Sequence, residues 1–118
     1  MQSTILSIGT NAISKNENIL IFFNESATEL IKEHSIIQRF ATNEFQTLEK
    51  GDFISFGEQQ YTIEHVGKNV LEQLQELGHV TFFFGNGPKE ELINAITLVE
   101  ERLPEILVGM KVTYKVGV

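Results

Sequence analysis

Apolar and polar positions alternate in short runs along most of the chain, each cut by glycine or a polar cluster. Thr4–Ile8 alternates weakly and Ile19–Phe23 is a compact apolar run, so both predict strands. Asn24-Glu25-Ser26 breaks the pattern. Ser26 followed by Glu29 is a capping box, which predicts a short helix from Ala27 to near His34, with Leu30 and Ile31 turned inward. Ser35–Phe40 returns to strand character, and Thr42–Lys50 is a polar loop pinned by Phe45 and Leu48. Gly51–Gly57 predicts a strand with Phe53 and Ile54 on opposite faces. Gln60–Val66 alternates too, placing Tyr61, Ile63 and His65 on one face.

A second helix follows, with Asn69 as its cap and Val70, Leu71, Leu74 and Leu77 as its apolar stripe. Gly78 is placed to end it in the left-handed conformation. His79–Phe84 reads as a strand and Gly85-Asn86-Gly87-Pro88 as a turn. Lys89–Glu101 begins with a helical pattern, but Ala95–Val99 is rich in β-formers, so a turn or helical piece leading into a strand is expected. Pro104 interrupts the chain and Met110–Val116 closes it as a strand. About seven or eight short strands with two short helices predict a mostly β fold, a small closed or nearly closed barrel. Lys50-Gly51-strand-Gly57 and Val108-Gly109-strand-Gly117 look faintly alike, which we read as barrel turn grammar rather than a repeat.

Composition narrows the class. The 118 residues, 42% hydrophobic and 21% charged with nine Phe, suit one folded domain spanning 1–118. With no Cys there is no disulfide, thiolate metal site or cysteine nucleophile, in keeping with a reducing compartment. No basic-then-apolar leader and no long apolar run is visible, so a cytoplasmic protein without membrane insertion is expected. The net charge of -7 argues against nucleic acid and allows a basic protein partner.

Only the three histidines offer acid–base or nucleophilic chemistry at neutral pH. His34 falls at a helix C-terminus, an ordinary place for a structural imidazole. His65 lies within an alternating strand and reads as a packed or rim residue. His79 is the sharpest candidate. A corner after a helix can expose one ring nitrogen while the backbone holds the other, although a purely structural tie between Gly78 and a neighbouring strand fits equally well. Gly85–Lys89 lacks the Walker pattern and the histidine spacing suggests no zinc site, so no metal or cofactor is expected. Phe82 and Phe84 read as core, and Phe83 on the other face as a partner contact or a second core layer.

LQELGHVTFFF at Leu74–Phe84 resembles the "LRxLGHVTLxF" segment of the glucitol/sorbitol-specific enzyme IIA proteins of the bacterial phosphotransferase system. ILIFFNESATELIKE resembles that family's "ILITFxExAPxELxE" region, and EKGDFISFGEQQYTIEHVGKNVLEQL its "xPGDxLxxGxxxYxVTAVGxVAxxNL". The resemblance covers nearly the whole chain and implies a small β-barrel. It also implies a relay that takes a phosphoryl group from the histidine phosphocarrier protein onto a histidine and passes it to the IIB domain of a membrane permease (IIB/IIC). Such a step requires a neutral imidazole in line with phosphorus.

The likeness fails at the reactive position. The family's phosphoacceptor lies in a "[FV]-I-H" step after the first helix, where this chain has Ile36-Ile37-Gln38. The acceptor position is thus Gln38, an amide, and the histidine often found two residues later corresponds to Phe40. His34 stands four residues earlier, out of reach of a small register slip. His79 matches the family's GHVT histidine, for which the resemblance implies a supporting role, leaving His79 and His34 as the remaining acceptor candidates. Three functions stand open: a IIA phosphoryl relay, a degenerate paralogue that binds or regulates without phosphotransfer, or a small-molecule or structural β-barrel unrelated in role. Between the first two, Gln38 favours the second.

Overall fold

The computed structural model describes residues 1–85, 87 and 92–116. The expected Gly85–Pro88 turn, the segment from Lys89 to Glu91 and Gly117 fall wholly or partly outside them. Eight strands and two helices run in the order β1 (Gln2–Ile8), β2 (Ile19–Phe23), α1 (Glu29–Glu33), β3 (Ile36–Phe40), β4 (Phe53–Phe56), β5 (Gln59–Val66), α2 (Val70–Leu77), β6 (Val80–Phe84), β7 (Ala95–Leu98) and β8 (Lys111–Tyr114). The strands close into a barrel in the order β1-β3-β2-β6-β7-β5-β4-β8. The β2–β3 and β6–β7 pairs are parallel and the others antiparallel, so every strand has two partners and no edge is left open.

The interior is aromatic. Phe22, Phe56, Phe82, Phe84, Tyr61 and Tyr114 are all fully buried. Phe82 meets Phe22 and Phe56 edge-on at 5.4 and 5.2 Å, the favourable arrangement for ring quadrupoles. Phe83 is also buried, on the outer side of the wall, so it forms a second packed layer.

The resemblance between the glycine-bounded segments goes deeper than turn grammar. Gly51 N–H donates to Ile63 O as Gly109 N–H donates to Ile5 O, and Ile63 N–H returns to Asp52 O as Ile5 N–H returns to Met110 O. The β1–β3 and β5–β7 ladders shift register at matching places, between Ile5 and Ser7 and between Ile63 and His65. Exchanging β1, β2, β3 and β4 with β5, β6, β7 and β8 leaves the barrel order unchanged. The barrel therefore has a pseudo-twofold axis between β2 and β6 on one side and β4 and β8 on the other.

Local expectations are corrected in α1, β5 and α2. The Ser26 capping box does not form: the Ser26 hydroxyl and N–H both go to Asn24 Oδ1, and Thr28 caps α1 by accepting from Ile31 N–H. The shorter helix turns Leu30 to solvent, at 69% exposure. The bulge after Ile63 breaks the alternation, so His65 is exposed while Tyr61 and Ile63 stay inside. Asn69 occupies the α2 cap position but makes no side-chain cap bond, and of the predicted stripe Val70 and Leu74 are buried while Leu77 reaches solvent.

Candidate functional site

Ile36 and Gln38 alternate inward along β3, so the strand carries an amide into the barrel wall. Gln38 is fully buried. Its Oε1 accepts from the Ser3 hydroxyl at 2.6 Å and the Tyr114 phenol at 2.9 Å, and its Nε2 donates to Gly78 O at 2.9 Å. The Gly78 carbonyl can only accept, which fixes the amide orientation. Burial pushes the Tyr114 phenol up, against the opposing pull of its bond to Gln38, so it stays protonated and donates.

The Gly78 corner is held from both sides. Gly78 adopts φ 58 at the end of α2, where Leu77 O accepts from Asn24 N–H. A Cβ there would stand 2.7 Å from Asn24 Cβ, so glycine is required by both conformation and space. Next to this corner lies a groove of about 300 Å³ floored by Gln38 and edged by Asn24, Arg39 and Gln75.

His79 follows directly, on the outer face of the wall. Its Nδ1 lies 3.1 Å from Phe22 O and its ring stacks on Phe23 at 4.1 Å. A carbonyl accepts only, so Nδ1 carries the proton and Nε2 keeps a lone pair with no hydrogen-bond partner among the described residues. Burial lowers the His79 pKa from the ordinary 6.5, partly countered by the Phe22 bond. The ring is neutral at pH 7. His79 therefore supplies stability fully present above pH 6.5, which is lost as pH falls from there through its folded pKa. A proton NMR titration should give a His79 midpoint below 6.5; a midpoint above it would show that the carbonyl bond outweighs burial.

Of the residues singled out from sequence, Gln38 and the Gly78–His79 corner come together through the Gly78 carbonyl. His34 is exposed as the α1 C-cap and its backbone N–H donates to Ile31 O. No cluster able to hold a metal ion occurs among the described residues. Ser3 and Tyr114 were not anticipated, because their role depends on strand partners far away in the chain. An amide has no nucleophilic nitrogen, since its lone pair is delocalised into the carbonyl, so position 38 cannot take a phosphoryl group.

The fold defines the class only as a small closed, mixed eight-stranded β-barrel. It is similar to the solved PTS system IIA component from Enterococcus faecalis V583, with TM-score 0.91 and 36% identity over 98% of this chain and 100% of that one. The PTS system glucitol/sorbitol-specific IIA component family matches residues 1–113, and the chain belongs to that family. The glucitol/sorbitol-specific EIIA component of Escherichia coli (strain K12) is 35% identical over 85 residues, covering 70% of this chain and 68% of that protein.

Proposed function

We propose that the chain stands in the IIA place of a glucitol/sorbitol-type phosphotransferase system as a docking or regulatory module that carries no phosphoryl group at position 38. Its partners would be the histidine phosphocarrier protein and the IIB domain of a permease, met in the cytoplasm. Family membership supports the place in the system. One observation carries the rest: Gln38 is fully buried, with its oxygen doubly occupied and its nitrogen tied to Gly78.

The test is incubation with phosphoenolpyruvate, enzyme I and the phosphocarrier, followed by mass spectrometry for an acid-labile, base-stable adduct. The native chain should remain unlabelled. Gln38→His should gain label, because an imidazole there can still donate to Gly78 O through one nitrogen and leave the lone pair of the other for phosphorus. A stoichiometric adduct on the native chain would overturn the proposal.

A second reading, a relay that uses His79, is favoured by the anchored Nδ1, the neutral ring and the unpaired Nε2. It expects an adduct on the native chain, mapped to His79 and lost in His79→Gln.

A further inference from the structure

The pseudo-twofold axis relates two rows of outward-facing residues whose chemistry differs. One row is Lys111, Thr4 and Arg39, set side by side across β8, β1 and β3. Its mate is Phe53, Thr62 and Val99, on β4, β5 and just beyond β7. Phe53 stands opposite Thr62, and Val99 N–H donates to Thr62 O. Their chain neighbours Ile54, Tyr61, Ile63 and Leu98 are buried inside the barrel, so this second row faces out. Phe53 is 38% exposed and Val99 50%. In the first row Lys111 Nζ donates to the Thr4 hydroxyl and Arg39 pairs with Glu25. The wall thus accepts lysine and arginine at these places, and folding requires no apolar side chain there. Single exposed apolar residues are ordinary. Here two of them replace charged mates on both sides of one threonine.

The charges beside the row indicate what covers it. Among the described residues, the charged side chains bonded to this face come in opposite pairs. Lys50 Nζ lies 3.6 Å from Glu64 Oε1, and Lys115 Nζ lies 3.6 Å from Asp52 Oδ2. Glu100 accepts from the Thr62 N–H and hydroxyl, and Arg102 donates to Gln60 O. These three cations balance these three carboxylates. The whole chain carries a net charge of -7, so two copies repel each other across most orientations. This face carries both signs in balance, so it can meet itself. Under a twofold, each cation can approach a carboxylate of the other copy while Phe53 and Val99 pack in the centre. A strongly basic partner would find no excess negative charge here, and an acidic one no excess positive charge.

We propose that the row of Phe53, Thr62 and Val99 is the contact face of a weak, twofold-symmetric homodimer. This goes beyond the docking role above and does not depend on it. A row of this size suits a transient contact, with a dissociation constant of about 10 μM to 1 mM. Sedimentation equilibrium of the full chain should show the mass rising from 13.3 kDa towards twice that value across this range. On dilution, the backbone amide NMR signals of Phe53, Thr62 and Val99 should shift, while those of Lys111 and Thr4 stay in place. Phe53→Lys and Val99→Arg copy the residues at the mate positions, so both should fold normally. Each should weaken association about tenfold or more. Both variants reduce the net negative charge, so the loss does not come from added repulsion. The proposal is overturned if the mass stays at 13.3 kDa up to about 1 mM, if the shifting signals lie on another face, or if both variants associate as the native chain does. The same shifts on adding the phosphocarrier to the dilute chain would assign the row to that partner and overturn it too.

Discussion

Replacing Gln38 with leucine will lower the unfolding free energy by about 3–5 kcal/mol, the sum for stranding three buried polar groups at about 1–3 kcal/mol each and allowing for partial rescue. The stranded groups are the Ser3 hydroxyl, the Tyr114 phenol and the Gly78 carbonyl. Leucine nearly preserves the volume, so little of the loss comes from a cavity. The melting temperature should fall by roughly 10–20 °C for a chain of this size. The pseudo-twofold axis supplies the control. Leu98 and Phe56 occupy the places in the other half that Gln38 and Tyr114 hold in this one, and both are fully buried in an apolar setting. Gln38→Leu combined with Tyr114→Phe should therefore recover part of the loss, leaving chiefly Ser3 and Gly78 unpaired. An unchanged urea midpoint for the single variant would show that the amide network contributes no stability.

This asymmetry between halves gives position 38 its meaning. The same wall position is filled by an amide on one side and by Leu98 on the other, so the barrel itself does not require a polar group there. The polar half is the one with the groove and the Gly78 corner. The three hydrogen bonds tie β1, β8 and the Gly78 corner to β3, so the amide fixes the geometry of this half where Leu98 only packs the other.

Most of the strands could be read from the chain because period-two alternation and glycine punctuation are local signals. Ile19–Phe23 was delimited to the residue, and the Gly78 turn needed only its place after an apolar helical stripe. The failures have non-local causes. Asn24 lies against the Leu77–Gly78 corner and collects Ser26, so the capping box loses its hydroxyl and Thr28 takes over. His65 is turned outward by a bulge whose presence follows from pairing with β7. Gln38 itself could be singled out from the chain, yet its partners were not legible: Ser3 and Tyr114 come from opposite ends of the chain and meet only because β1 and β8 are neighbours in the closed barrel.

Gly9→Ala and Gly67→Ala will each destabilise the fold by about 3 kcal/mol or more, at the upper end for overpacking, because the obstructing atoms are backbone and cannot choose another rotamer. The two glycines are related by the pseudo-twofold axis and do the same job. A Cβ on Gly9 would overlap the carbonyls of Lys32 and Glu33, and one on Gly67 those of Leu92 and Ile93. The bonds at stake also match: Gly9 N–H to Ser35 O and Asn11 N–H to Glu33 O, against Gly67 N–H to Ala95 O and Asn69 N–H to Ile93 O. Gly51→Ala and Gly109→Ala are the contrast. Their surroundings are open, and only the left-handed φ of 93 and 90 resists a side chain, at about 1–2 kcal/mol. Urea denaturation of all four should separate them into two pairs. The Gly9 variant carries the functional consequence, since forcing Lys32–Glu33 away moves α1 and the start of β3, the strand that delivers Gln38 to its three partners. It should broaden or shift the Gln38 side-chain amide signal under native conditions, whereas Gly51→Ala should leave it in place. Equal midpoints for the two pairs would mean that the β1 and β5 ends yield freely, and that the close backbone contacts there do not position the site.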